Sequence, residues 1–218
     1  MTGVKVSSVK LTVDVIARTA LEMLDETGLD GLSMRLLATR LDVQPAALYW
    51  HVKNKSQLLD VMAAAIFNCA ADGLEAPRAG VTWQEWTAEW VRQLRKAMLR
   101  FRDGGRIFAN GSVTEPALFR ATELALRTLQ DAGFEVQPAA RSLAALIHYA
   151  VGFTIEEQNH VYKSSESAHS ALDTARFPLT AQAYVDDNLF DPNTDECFEY
   201  GMQIILTGMK AANDIVTP

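Results

Sequence analysis

The chain has 218 residues, 49% of them hydrophobic, with 20 Lys and Arg against 27 Asp and Glu for a formal charge of −7. That length supplies a core for one or two domains, and the apolar share excludes a disordered acidic tail. Two cysteines, Cys69 and Cys197, are too few for a disulfide framework and point to a reducing compartment. Met1 to Lys10 hold no apolar run of signal-peptide type. The most apolar run, Val61 to Phe67, stops at Asn68, far short of a spanning helix. A soluble, cytoplasmic protein with no membrane partner is expected.

The charge is unevenly placed. Met1 to Lys55 carries seven basic and six acidic residues, a balance of +1, which leaves −8 on the remainder. A near-neutral N-terminal part thus precedes an acidic body, and net charge speaks for each separately.

From Thr12 onward, Val13, Ile16, Ala17, Ala20, Leu21 and Leu24 recur at helical spacing. Thr12 suits the cap and Gly28 the left-handed stop. Ser33 opens a second helix whose buried stripe is Leu37, Ala38 and Leu41. Pro45 suits the first turn of a third and very short helix, from Pro45 to Val52. Asn54 caps a fourth that carries Leu58, Leu59, Met62 and Ile66. Two short helices joined by a tight turn and braced by a first helix are the layout of a helix-turn-helix. In that geometry Leu48 and Val52 face the core. Ala46, Ala47, Tyr49, Trp50 and His51 are left outward beside Lys53 and Lys55. Tyr and His can donate to phosphates, small alanines allow close approach to base edges, and lysines neutralise phosphate charge. The same aromatic residues would otherwise be core of a small helical domain.

The rest of the chain is also read as helical. Thr82-Trp83-Gln84-Glu85 has the form of a capping box, and Trp83, Trp86, Trp90, Leu94 and Met98 share one face behind it. Arg102 to Gly105 breaks that helix. A Thr114 cap starts a segment with Leu118, Thr122, Leu126 and Leu129. Gly133 and Pro138 bracket a loop before a long apolar helix from Ala139 to Glu157. Ser164 to Ser170 is loop-like. A last helix from about Asp195 to Asn213 carries Phe198, Met202, Ile205 and Met209, with Gly201 and Gly208 allowing close helix approach. Period-2 alternation and internal repeats are both lacking, so the fold class is all-α.

Three segments make the N-terminal pattern specific: Leu32-Ser33-Met34-Arg35-Leu36-Leu37-Ala38, Leu41-Asp42-Val43, and Ala47-Leu48-Tyr49-Trp50-His51-Val52-Lys53-Asn54-Lys55. Together they closely resemble the DNA-binding domain of the TetR family, and within it the tetracycline repressor subgroup. The resemblance continues at Arg102-Asp103-Gly104, Thr114-Glu115, His148 to Gly152, Glu156-Glu157-Gln158 and His160. It implies a helix-turn-helix domain over 1–55, a connecting helix over about 55–72, and a ligand-binding and dimerisation domain over 73–218. By the same resemblance Arg35, beside the Ser33 start, reads a base, and Pro45, Ala46, Ala47, Tyr49, Trp50 and His51 form the recognition helix. Lys53 and Lys55 hold backbone phosphate. The family's four-helix bundle implies a homodimer through parts of 139–157 and 195–213, with two reading heads on a palindromic double-stranded operator. Pro45 and Ala46 stand where the subgroup has Gln then Pro, so a different base preference is expected, because Gln pairs bidentately with adenine and Pro cannot.

The pocket implied by the resemblance departs further. Phe108 stands where the subgroup has a histidine that binds a drug–magnesium complex. Ala71, Trp90 and Leu124 replace its other polar contacts, while His148 and Glu156 remain. One carboxylate does not supply a hard-cation site. The expected effector is therefore an aromatic or hydrophobic molecule, an antibiotic or metabolite, held by Trp86, Trp90, Leu94, Phe108, Phe119, Leu124, His148, Phe153 and Glu156. It is not tetracycline–magnesium, and no cofactor is expected. The same aromatics could equally fill a core. Catalysis is not expected: Glu157 and His160 have Glu-x-x-His spacing, but no second copy exists. The alternatives are a helical small-molecule-binding protein that has lost DNA binding, and an activator with the same fold.

Overall fold

The start signals written into the N-terminal sequence act where they stand. In the computed structural model, which describes residues 10–112, 114, 116–160, 173–187 and 195–216, helix α1 spans Val13–Gly31 and its first turn is capped by the Thr12 hydroxyl, which accepts from the Val15 N–H. At Gly28 the backbone turns to φ 61°, a conformation natural to glycine, and the regular helix ends there. Ser33 caps α2 (Met34–Arg40) by accepting from the Leu36 N–H. Helix α3 (Pro45–His51) begins on Pro45, whose missing N–H would have had no partner in the first turn. Asn54 caps α4 (Lys55–Ala71) through the Gln57 N–H.

Beyond a connecting segment lies α5 (Trp83–Leu99), which opens on the full reciprocal box between Thr82 and Glu85. The sequence Arg102 to Gly105 does break α5, with Asp103 at φ 59°, but the break starts a further helix, α6 (Gly104–Asn110). Two glycines at its head and only seven residues give α6 too weak a propensity to be read from the sequence. Helix α7 covers Pro116–Asp131; the expected cap at Thr114 borders Val113 and Glu115, which lie outside the described residues. Helix α8 runs over Val136–His160, so Pro138 sits in its first turn rather than in a loop, where the lost donor costs nothing. A further helix, α9 (Pro178–Asp187), was not expected. The last, α10, spans Asp195–Val216. The stretch read as a loop over 164–170 lies outside the described residues.

Among the described residues there are ten helices and no strand. Two clusters of buried side chains hold them. The first joins α1 to α4 through Ile16, Leu24, Leu37, Leu48, Val52, Leu58, Met62 and Ile66, and continues into Leu94 and Met98 of α5 and Ile107 of α6. The core of the N-terminal helices is therefore continuous with the body. The second cluster packs α5, α7, α8 and α10 around Trp86, Trp90, Ala125, Leu129, Leu146, Phe198 and Met202. At Gly201 a Cβ would lie 2.3 Å from the Tyr149 hydroxyl, so α10 approaches α8 as closely as it does only because that residue has no side chain.

Candidate DNA-reading surface and effector cavity

Helix α3 divides its residues sharply. Leu48 and Val52 are 0% exposed, anchoring it in the core of the N-terminal helices, while Tyr49 is 47% and Trp50 88% exposed. Pro45, Ala46 and His51 are exposed with them, and Ala47 is half-buried. Arg35, one residue into α2, is exposed as expected, as are Ser33 and Lys53. The outward face thus carries an indole, a phenol, an imidazole, a guanidinium and an ammonium in one small area. Lys55 is exposed, and its ammonium donates to the Leu29 carbonyl at 3.2 Å, at the end of α1. A lysine ammonium has three donors, so that contact orients the group without exhausting it.

Behind α3, the end of α1 is tied to the turn between α5 and α6. The Asp103 carboxylate accepts from the Leu29 N–H at 2.9 Å, replacing a partner lost where Gly28 leaves the helix. Arg106 of α6 donates to both Asp103 and Asp30 at 3.0 Å. The Asp30 carboxyl is held below its usual range, chiefly by its hydrogen bond from Arg106 and by that residue's charge. Arg102 donates to the Asp25 carbonyl at 3.1 Å. On the other side, the Ser112 N–H donates to Asp60 of α4 at 2.8 Å. Helix α6 is therefore flanked by bonds to α1 at its start and to α4 just past its end.

The aromatic wall is formed in part. Trp86 and Trp90 stack with centroids 6.2 Å apart, and Phe108 of α6 stacks at 6.4 Å on Phe67 of α4. Trp86 donates its indole N–H to the Glu75 carbonyl at 2.8 Å. Leu94 is buried in the first cluster, and Leu124 and Phe153 pack against the second. A cleft of about 300 Å³ runs along Trp86 and Trp90 beneath the Gly73–Arg78 segment. Phe119, 64% exposed, and His148 and Glu156, both exposed, are on the protomer surface outside this cluster.

On α8 it is Glu157, not Glu156, that is buried. It accepts from Arg95 of α5 through two bonds of 2.7 and 3.0 Å, and Arg95 also reaches Asp195 at the start of α10 at 2.7 Å. The guanidinium lies 4.6 Å over the Phe198 ring. Removing one partner of such a pair typically costs about 3–5 kcal/mol. Partners 62 and 100 residues apart leave no local pattern, so this junction could not be found in the sequence. Glu157, the carboxylate of the Glu-x-x-His spacing, is thereby committed to structure. Among the described residues no three His, Cys, Asp or Glu side chains come together, and no helix is long and apolar enough to cross a membrane.

Comparison with known proteins gives two family matches. Residues 16–62 match the model for bacterial regulatory proteins of the tetR family, and residues 76–213 match the tetracyclin repressor-like C-terminal domain. The chain is 34% identical to the class C tetracycline repressor protein of Escherichia coli, over 94% of this chain and 95% of that protein. A solved structure of a possible TetR family transcriptional regulator from Streptomyces coelicolor A3(2) superposes with a TM-score of 0.83 at 33% identity, covering 92% of this chain and 99% of that one. The Streptomyces coelicolor TetR family protein ActR, solved in complex with actinorhodin, gives a TM-score of 0.76 at 30% identity, covering 94% and 97%.

Proposed function

The chain belongs to the TetR family of bacterial regulatory proteins, and from that premise we propose that it is a ligand-responsive repressor that binds a palindromic operator as a homodimer. The observation that carries this reading is the exposed face of α3. An indole 88% exposed beside Tyr49, on a helix pinned by two fully buried residues, is apolar surface held out for a partner. Residues 1–55 are the reading head, α4 the connecting helix, and 73–218 the body. Arg35 and the Pro45 to His51 helix engage the operator half-sites, and Tyr49, His51, Lys53 and Lys55 help fix the phosphate backbone. The protein is cytoplasmic and performs no catalysis.

The dimer forms through α8 and α10. Their outward faces carry Ala145, His148, Gly152 and Glu156 on one helix and Tyr200, Ile204 and Gly208 on the other. Tyr200 and Ile204 are 73% and 56% exposed in the protomer. His148 and Glu156, which sit on this face, meet an effector only where the two protomers close together.

The effector is an aromatic or hydrophobic molecule seated against Trp86, Trp90 and Phe108, with Leu94, Leu124 and Phe153 behind. Phe108 offers no metal ligand and is stacked on Phe67, which supports an effector other than tetracycline–magnesium. An effector that displaces Phe108 moves α6, and α6 is bonded to α1 through Asp103 and Arg106 and to α4 through Ser112. Release follows if the effector binds the displaced arrangement more tightly than the DNA-competent one. The test is a mobility shift on duplex from the promoter of the protein's own or a neighbouring gene, challenged with tetracycline plus magnesium and with polycyclic aromatic compounds. Release by an aromatic compound alone is the expected result, and release by tetracycline only with magnesium overturns the effector reading.

A further inference from the structure

Two buried polar atoms in the middle of α5, the Thr87 hydroxyl and the Trp90 indole N–H, have no hydrogen-bond partner among the described residues. Both residues are buried, at 0% and 3% exposure. The neighbouring groups show how unusual this is. Trp86, one turn earlier, has its N–H on a carbonyl. The helical threonines Thr27, Thr39, Thr128 and Thr154 each turn their hydroxyl back onto the carbonyl four residues before. Thr87 does not. Buried donors are rarely left unpaired, because the lost hydration is not returned. Three residues apart, the two groups share one face of the helix.

Resting on the aromatic-effector reading above, we infer that Thr87 and Trp90 form a donor pair that selects effectors carrying a neutral oxygen acceptor on a fused aromatic ring system. An indole N–H can only donate, so the atom it meets must accept. Trp86 stacked on Trp90 offers a flat face beside that donor, which suits a planar ring. The acceptor is neutral because the cleft beside Trp90 sets Glu75, Glu85 and Glu89 against a single lining cation, Arg78, and the cations further along α5 are already spent. Arg92 is held by Glu199 and Glu89, and Arg95 by Glu157 and Asp195. A carboxylate on the effector would enter beside three carboxylates, and an ammonium would set donor against donor. A carbonyl or ether oxygen satisfies both side chains at once. A site built to hydrogen-bond its ligand rejects the analogue that lacks the group, because its own polar atoms are then left unpaired.

A matched probe pair isolates the acceptor: xanthone carries a ring carbonyl, and xanthene has a methylene in its place. Calorimetric titration of the full-length protein is expected to show xanthone bound about three- to tenfold more tightly than xanthene. Thr87→Val and Trp90→Phe each bring the two affinities together. Without ligand, Thr87→Val melts at the wild-type temperature or above, since it removes an unpaired group. Equal affinities in the wild-type protein, or a preference that survives both substitutions, overturn the inference and leave the effector reading intact. So does a fall of more than about 3 °C in the melting temperature of Thr87→Val, which means that the hydroxyl is already satisfied inside the fold. Binding of neither probe overturns the aromatic-effector reading, and the inference falls with it. Far-ultraviolet circular dichroism and a cooperative melt of both variants verify that they are folded.

Discussion

Leu48 and Trp50 are two residues apart on a seven-residue helix and live in opposite environments. Leu48 is wholly enclosed in the core of the N-terminal helices, while Trp50 stands almost entirely in solvent. Trp50→Ala is expected to change unfolding free energy by no more than about 0.5 kcal/mol, as for other surface sites, while abolishing promoter binding. Leu48→Ala is expected to cost about 2–5 kcal/mol by leaving a cavity. Chemical denaturation beside a mobility shift separates the two effects. This contrast was legible in the sequence, because Pro45 fixed the start of α3 and the spacing of Leu48 and Val52 fixed its buried side. The two roles of Lys55 were not. Its place beside the reading helix follows from order along the chain, but its bond to the Leu29 carbonyl depends on how α1 and α4 cross.

Caps and stripes written in neighbouring residues placed α1 to α5 and α10 to within a few positions. What escaped were elements fixed by distant partners. Helix α6 has a weak local pattern and is held by Asp30, Asp60 and Gln158, which lie 52 to 76 residues away. Its ion pair with α1 carries a functional prediction. Arg106→Ala removes an exposed pair with Asp30 and a part-buried one with Asp103, and leaves promoter affinity without effector within about twofold, a change of under 0.5 kcal/mol. The effector concentration needed for release rises several-fold, because movement of α6 is passed less firmly to α1. A release titration by mobility shift reads this directly. The packing of α8 on α10 titrates instead. Burial pushes the Tyr149 hydroxyl up from 10.0 to about 12, despite the nearby charge of Arg95, and that hydroxyl donates to the Phe198 carbonyl at 2.9 Å. The unfolded chain therefore loses this proton first. Stability from this group is complete below about pH 10 and is lost as the pH climbs toward 12. Tyr149→Phe is expected to show a shallower alkaline decline in urea midpoint than wild type.

Over the whole molecule, the total of −7 misleads about partners, because the acid lies on the body while Arg35, Lys53 and Lys55 edge the reading face. An acidic body disfavours spreading along phosphate and leaves affinity to a small surface that must be presented twice. Two recognition helices one turn of DNA apart, about 34 Å, require a dimer. Tyr200→Asp with Ile204→Asp places charge on the outward face of α10 and is expected to give a folded monomer by sedimentation, with promoter binding weakened at least about tenfold, or 1.4 kcal/mol. The resemblance to a family implied this proposed assembly, whereas periodicity showed only that α8 and α10 are apolar and could not separate burial within a chain from burial between chains.

The most direct test of the account is fluorescence anisotropy of the protein with its promoter duplex and with a scrambled duplex of the same composition, across a range of salt. The account predicts affinity that falls with salt on both, a preference of at least about 10³ for the promoter, and loss of that preference in Arg35→Ala and Trp50→Ala. Equal binding to the two duplexes at every salt concentration, or variants that discriminate as well as wild type, would contradict it.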